Sequence, residues 1–371
     1  MKAVILVGGQ GTRLRPLTTK IPKPMLPMAN IPFFEHTLRL LKKYGVEDII
    51  LSSGYLGEHF KNYFKDGKHL GVNLTHVIEE KPLGTCGAVK NVEELLGDET
   101  TVVLNGDILS NINLNQLLDF HKEKKAKVTL TLYTVEDPTA YGLVSLNGDS
   151  RVQKFLEKPS FDEITTHWIN AGIYLLEPEV LKYAPAGENY SFERGLFPTL
   201  LKKNEPISGF PFNGYWKDIG SPVHYLKAHH DILEGRVNFD FVGKEIKPGV
   251  FAGKNCKISD KATVFGPTII GDNCTIDDHA MVFSNTTIGN NCHIASSAKI
   301  YDSIFFDDVK IGKNCVIKGS ILGRNVKLSD EVHTDNLAVL GDQVQVGQKN
   351  FLARGIKVSS KAVIENEQIR F

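Results

Sequence analysis

Gly271-Asp272-Asn273-Cys274-Thr275-Ile276-Asp277-Asp278-His279-Ala280-Met281-Val282-Phe283-Ser284-Asn285-Thr286-Thr287-Ile288 is one period of a repeat. Ile258, Val264, Ile270, Ile276, Val282, Ile288, Ile294 and Ile300 stand six residues apart. Two residues before each stands a small one: Cys256, Ala262, Thr268, Cys274, Ala280, Thr286, Cys292 and Ala298. The order Cys, Ala, Thr recurs, so three six-residue faces make an 18-residue turn. That is the pattern of a triangular parallel β-helix, whose turns stack at the inter-strand spacing of ~4.8 Å. Aliphatic and small residues alternate inward because the triangle is narrow. The Gly-x-Asn-Cys quartet begins at Gly253, Gly271 and Gly289 and returns at Gly312 after a five-residue slip. Cys256, Cys274, Cys292 and Cys315 are therefore expected at one equivalent inward site on successive turns, as small apolar filler. With Cys86 the cysteines number 5, without a Cys-x-x-Cys pair or zinc-finger spacing, so neither disulfides nor a metal cluster is expected. The register drifts past Leu322-Gly323, and the tail Ile356–Phe371 is expected to cap the helix or dock on a partner.

Working back from the repeat, residues 1 to about 235 have another rhythm. Strand-like runs at Lys2–Val7, Asp48–Ser52, Leu74–Ile78, Thr101–Asn105 and Lys127–Thr134 alternate with helical patterns at Phe34–Tyr44, Glu58–Phe64, Gly84–Leu96 and Asn115–Lys124. Such alternation predicts right-handed β-α-β units and a mostly parallel sheet. Ligands of such sheets bind beyond the carboxyl ends of the strands, which directs attention to the loops after Val7, Asn105 and Ile219. The chain of 371 residues thus divides into a domain over 1–235 and a β-helix over 246–371. With 43 basic and 43 acidic residues and no basic run, neither nucleic acid nor a membrane surface is expected as a partner. Apolar runs too short for a membrane span or a signal peptide make a soluble, cytoplasmic chain the expectation.

The loop after the first strand reads Leu6-Val7-Gly8-Gly9-Gln10-Gly11-Thr12-Arg13-Leu14-Arg15-Pro16-Leu17-Thr18. Its glycines let the backbone take positive φ and aim N–H groups at a phosphate chain. It is not a Walker loop, since Gly11-Thr12-Arg13 stands where Gly-Lys-Ser/Thr is needed. Nor is it a dinucleotide fingerprint, because Leu14 stands at the third glycine and Ser52-Ser53-Gly54 at the acidic position. Next comes Ile21-Pro22-Lys23-Pro24-Met25-Leu26-Pro27, where five of the 16 prolines fall between Pro16 and Pro32. Each proline fixes φ, so Lys23 is a cation held on stiffened backbone.

Gly-Gly-x-Gly-Thr-Arg-Leu-x-Pro-Leu-Thr followed by Pro-Lys-Pro resembles the signature of the sugar-1-phosphate nucleotidyltransferases, several branches of which carry a β-helix. The resemblance implies an α/β fold: a Rossmann-like nucleotidyltransferase domain with a mostly parallel mixed sheet, then a left-handed parallel β-helix of hexapeptide repeats. It assigns the nucleotide to Leu6, Gly8, Gly9, Gly11, Thr12, Arg13, Lys23, Asn105 and Gly106, with Pro82, Gly84 and Thr85 of the Pro-Leu-Gly-Thr-Cys-Gly segment flanking the base. Asp107 of Asn-Gly-Asp and Asp218 of Trp-Lys-Asp-Ile-Gly would share Mg²⁺, a cation that takes carboxylate and phosphate oxygens. Tyr141 and Gly142, Glu157 and Lys158 of Glu-Lys-Pro, and Asn170 and Gly172 of Asn-Ala-Gly would hold the sugar phosphate. Arg13, Lys23 and Asp107 would be catalytic.

The implied reaction joins a nucleoside triphosphate and a hexose 1-phosphate into a nucleotide sugar with loss of pyrophosphate. Pro82–Thr85, the stretch Phe192–Pro198 and the overall length look most like the members that join GTP and mannose 1-phosphate. Glucose 1-phosphate with dTTP or UTP is the alternative. Two readings from other classes stay open: an acyltransferase using His279 or His293, although no insertion breaks the coils before Ile304, and a non-catalytic paralogue that binds nucleotide sugar. The flat β-helix faces imply a homo-oligomer formed partly through them.

Overall fold

The computed structural model describes residues 1–54, 56–237, 241 and 243–370, so Phe371, the end of the expected tail, lies outside the described residues. Packing groups the chain into two units: Met1–Gln10 with Phe34–Lys217, and Gly11–Phe33 with Asp218–Phe371.

The first unit is built on β1 (Lys2–Val7), β2 (Asp48–Ser53), β3 (Asn73–Ile78), β4 (Thr101–Asn105), β5 (Val128–Thr134), β6 (Gly142–Leu146), β7 (Val152–Glu157), β8 (Trp168–Leu176) and β9 (Ile207–Pro211). They form one sheet in the order β7-β6-β8-β4-β1-β2-β3, with β5 pairing β8 and β9. The β4-β1-β2-β3 half is parallel, while β8 runs antiparallel to β4, β5 and β6. The sheet is therefore mixed. Ala3-Val4-Ile5 and Val102-Val103-Leu104 are buried on both sheet faces, as central parallel strands demand. Helix α1 (Phe33–Lys43) drops Phe34 edge-on to Phe60 and Phe64 of α2 (Glu58–Phe64), at 5.2 and 5.1 Å. The single helix expected over Gly84–Leu96 is instead α3 (Gly84–Lys90) and α4 (Glu93–Leu96). Buried, β-branched Val92 leaves the helical well between them, at φ −111° and ψ 13°.

In the second unit, short parallel strands stack into three sheets, the faces of the β-helix. Ile270, Ile288, Phe305, Leu322 and Leu340 point inward from one face, and Ile276, Ile294, Ile311, Leu328 and Val346 from another. Stacked partners step by 18 residues, except for two consecutive coils that step by 17: Lys257, Thr275, His293, Lys310, Lys327, Gln345 and Val363 lie above one another. This corrects the cysteine column. Cys315 precedes Val316, which stacks on Lys299, so it lies beneath Ala298 on the Ala262-Ala280 face; Val309 follows Cys292 in its own column. The apparent slip combines a coil of 17 with one further six-residue face, so the next Asn-Cys stands on the neighbouring face. The core-filler reading still describes all four thiols. Cys274 donates to the carbonyl of Gly289 at 3.0 Å and Cys315 to that of Ser329 at 3.1 Å, and burial pushes the Cys315 thiol up to about 12.

The tail continues the coils and then folds onto them. Lys357–Val358 and Val363–Ile364 are regular coil strands, and Ile369 packs against the core. At one corner Asn255, Asn273, Asn291, Asp308 and Asn325 all take positive φ, a conformation Asn and Asp tolerate. Their side chains form a ladder: Asn255 donates to Asn273 at 3.2 Å, Asn273 to Asn291 at 3.1 Å, and Asn291 to Asp308 at 3.2 Å.

Candidate active site

In the first unit, β1 delivers Leu6 between Ser52 of β2 and Asn105 of β4. Gly8 and Gly9 follow, exposed, and a Cβ placed on either would meet nothing within 4 Å. Of the three loop glycines Gly11 takes positive φ, at 60°, whereas Gly8 and Gly9 do not, which corrects the backbone reading for those two. Protein packing does not require glycine at 8 or 9; the open space above them suits a ligand approaching the backbone. Gly106 is different. Its N–H donates to the Leu6 carbonyl at 2.9 Å, and a Cβ there would fall 2.4 Å from a Val7 methyl. Asp107 follows directly, half-buried.

On the antiparallel side, Gly172 takes φ 71°, and a Cβ on it would lie 2.7 Å from Asn105 Nδ2. The Asn-Gly-Asp and Asn-Ala-Gly segments therefore interlock. Asn170 donates to the Tyr174 hydroxyl at 2.8 Å and accepts from the Gly172 N–H at 3.1 Å. Tyr174 donates to Glu193 at 3.2 Å, and Glu193 also accepts from Thr85 at 2.9 Å and Ser191 at 2.6 Å. Glu193 lies in a π-helical turn, Phe192–Leu196, of the kind frequent at functional sites. It links the Pro-Leu-Gly-Thr segment to β8. Residue reading gave Glu193 no role, although it lies within the stretch Phe192–Pro198; a lone Glu in a helical run carries no spacing signal.

Beside this network, Gly142 of β6 pairs with Glu157 of β7, and a Cβ on Gly142 would fall 2.5 Å from the Phe155 ring. Burial, and then the Glu193 charge, hold the Glu157 carboxyl above its usual range. Lys158 is exposed at φ 53°, its N–H donating to the Tyr141 carbonyl at 2.9 Å. Tyr141 meets Trp216 edge-on at 5.6 Å, and the Trp216 indole donates to the Ala171 carbonyl at 2.8 Å. Exposed Pro82 accepts at its carbonyl from Asn189 at 3.1 Å, while Gly84, at φ 70°, lies tight against the Tyr190 carbonyl.

The second unit holds the rest of the signature. Thr12 and Arg13 occupy a 3₁₀ turn after Gly11, and Lys23 opens another between Pro22 and Pro24. Lys23 is 7% exposed and its Nζ lies 3.1 Å from Asp218 Oδ1. Exposed Arg13 brings Nη2 to 3.9 Å from Asp218 Oδ2. Gly220 leaves the room: a Cβ there would be 2.7 Å from Arg13 Nη2 and 2.8 Å from Asp218 Oδ2. Two cations thus converge on one carboxylate.

The model for nucleotidyl transferases matches residues 2–235 of the chain, and that for the EIF2B subunit epsilon LbH domain matches residues 247–352. A mannose-1-phosphate guanyltransferase of Debaryomyces hansenii is 36% identical over 378 residues, covering 100% of this chain and 99% of that protein. The chain belongs to the sugar-1-phosphate nucleotidyltransferase family. A mannose-1-phosphate guanylyltransferase of Mycobacterium tuberculosis is 44% identical over 234 residues, 63% of this chain and 65% of that protein. Among solved structures, HddC from Yersinia pseudotuberculosis complexed with GMP-PN is 30% identical, with a TM-score of 0.53 over 61% of this chain and 97% of that one.

For a nucleotidyltransferase of this family the magnesium expectation can be set against the donors present. Among the described residues, no group of three or more His, Cys, Asp and Glu could hold a metal. Magnesium is usually bound by one or two carboxylates together with substrate phosphates and water. Asp107, two residues past the end of β4, and Asp218, beside Lys23, offer that kind of donor, each in its own unit.

Proposed function

We propose that the chain joins GTP and mannose 1-phosphate into GDP-mannose and pyrophosphate. The observation that carries this reading is the end-to-end similarity to the Debaryomyces guanyltransferase, with Arg13, Lys23, Asp107 and Asp218 all kept in their motifs. A phosphate oxygen of mannose 1-phosphate attacks the α-phosphorus of GTP. The bond from that phosphorus to the bridging oxygen breaks, and pyrophosphate leaves with the electron pair. No covalent intermediate with the protein is needed, so the residues act by positioning and by offsetting charge. Arg13 and the backbone at Gly8, Gly9, Gly11 and Thr12 bind the triphosphate beside Leu6, Asn105 and Gly106, with Pro82, Gly84 and Thr85 at the base. Lys23 lies near the transferred and leaving phosphates. Lys158 binds the sugar phosphate, and Glu157, Asn170, Tyr141, Gly142 and Gly172 shape the hexose pocket. Mg²⁺, held by Asp107 and Asp218, would supply charge neutralisation on the phosphates.

In this reading 1–235 is the catalytic domain and 246–371 the β-helix, and the protein is a cytoplasmic homo-oligomer associating partly through that helix. No helix among the described residues is long and apolar enough to cross a membrane. The deciding experiment is a pyrophosphate-release panel of GTP, ATP, UTP and dTTP against mannose and glucose 1-phosphates in Mg²⁺. GTP with mannose 1-phosphate is expected to turn over fastest. Preference for UTP or dTTP with glucose 1-phosphate would replace the substrate pair, and no release with any pair would make the chain a binding paralogue. Asp107→Ala and metal chelation should each abolish product while the fold persists.

A further inference from the structure

Alternation on the three β-helix faces is not equivalent. On two of them the outward residues include Lys257, Lys310, Lys327 and Gln345 on one and Thr263, Lys299 and His333 on the other, all exposed. On the third, the outward row Ile269, Thr287, Ile304, Ile321 and Val339 is at most 1% exposed. This row belongs to the same packing unit as the segment Gly11–Phe33.

The contacts follow one another along the coils. At the coil of Thr286–Ile288, the Asn30 amide donates to the Ile288 carbonyl at 2.8 Å. Asn30 sits at the tip of a hairpin pairing Pro27–Met28 with Ile31–Pro32; Ala29 and Asn30 both take positive φ, the geometry of a tight two-residue turn. In the same coil, Thr287 Oγ1 lies 3.2 Å from Nδ1 of fully buried His229, whose Nε2 is 3.2 Å from the Pro27 carbonyl. A carbonyl only accepts, so Nε2 carries a proton. Burial depresses His229 to about 3, so the ring is neutral and Nδ1 accepts from the Thr287 hydroxyl. Tyr225 also donates to the Pro27 carbonyl and packs edge-on to Phe306 of the next coil. Further along, Gly341 lies against Pro16: a Cβ there would fall 3.0 Å from the Pro16 Cβ. At the following coil, Lys357 Nζ donates to the Arg13 carbonyl at 3.0 Å.

We propose that this face of the β-helix is the seat that sets the position of Arg13 and Lys23, with Asn30, Thr287 through His229, and Lys357 as its fixing points. The β-helix is then a positioning element for the nucleotidyl transfer and not merely an assembly surface. The inference rests on Arg13 and Lys23 acting on the triphosphate. The Arg13 turn, Thr12–Leu14, is a single 3₁₀ turn without proline, with poorer hydrogen-bond geometry than an α-helix. A loop held at three coils loses little further freedom when it meets a polyanion, and misplacement of cations by fractions of an ångström is costly in rate.

The test uses the full chain carrying Asn30→Gly, which keeps the turn and removes the amide, Thr287→Val, or Lys357→Met, with Lys310→Met on an exposed face as control. Hydrogen exchange read on peptides covering 11–30 should quicken several-fold in Asn30→Gly and Thr287→Val and stay unchanged in Lys310→Met. The triphosphate KM should rise on the order of tenfold while the sugar-phosphate KM holds, and Lys357→Arg should recover most of the loss in Lys357→Met. Unchanged exchange over 11–30 in all three variants, or quickened exchange with both KM values and kcat unaltered, overturns the seat. Arg13→Ala separates the two readings: if it keeps full turnover, the catalytic assignment fails, and the exchange data still decide whether the loop is held by the β-helix.

Discussion

At the scale of single residues, the glycines divide by what stands where a side chain would go. Gly106 and Gly172 are required by the protein itself, through Val7 and Asn105. Alanine at Gly172 must adopt φ 71° and displace Asn105, so destabilisation on the order of 2 kcal/mol is expected for Gly172→Ala and similarly for Gly106→Ala. A Cβ on Gly8 would meet nothing within 4 Å. Gly8→Ala should therefore leave the melting temperature within about a degree of the parent while weakening the triphosphate KM on the order of tenfold. Thermal melts and steady-state kinetics on the same preparations check both; a Gly8→Ala protein with parental kinetics would remove the phosphate role of that backbone. The reactivity of the thiols is a second residue-level expectation. Burial raises the Cys86 and Cys315 thiols to about 12, so at pH 8 in the folded protein a thiol reagent should modify neither quickly, and half-exposed Cys256 should react first.

Among elements, the buried outward row is the informative feature. Lysine is natural on the exposed faces, as at Lys310 and Lys327, but at Ile321 it would put a charge where nothing is exposed. Ile321→Lys is expected to cost on the order of 3 kcal/mol, while Lys327→Ile, one face away, should be near neutral. Chemical denaturation of the two variants tests the contrast. This row was legible in principle: from Ile269 through Thr287, Ile304 and Ile321 to Val339 the column carries no charge before it reaches Lys357, whereas the equivalent positions on other faces include Lys, His and Gln. Reading the six-residue inward spacing draws attention away from the residue just before it. The cysteines show the opposite error. A five-residue shift looks like a disturbance of one column, whereas it is a coil of 17 followed by one six-residue face, which leaves Val309 in the column and the next Asn-Cys on the adjacent face.

For the whole molecule, acid stability should depend on His229. Its folded pKa is depressed, so the folded state prefers it neutral, whereas the unfolded chain takes up a proton near 6.5. Its contribution is fully present above about pH 6.5 and is lost progressively as pH falls towards about 3. His229→Gln removes the ionisation, so its melting temperature should fall less between pH 6.5 and 4.5 than that of the parent. Equal slopes would show that other groups carry the acid sensitivity.

The sequence by itself determined the periods and the chemistry. Six-residue spacing forces a three-faced β-helix because inward volume is fixed by the stack; strand–helix alternation forces an α/β sheet; and the glycine loop with its proline-framed lysine carries the family resemblance on which the proposed phosphate site rests. What the tertiary structure decided was partnership between residues distant in the chain. That β8 enters the sheet antiparallel, that Glu193 ties Thr85 to Tyr174, that Lys23 meets Asp218, and that the Arg13 loop rests on coils some three hundred residues later depend on long-range packing. Local propensity and spacing carry no term for a contact whose partners are separated by most of the chain.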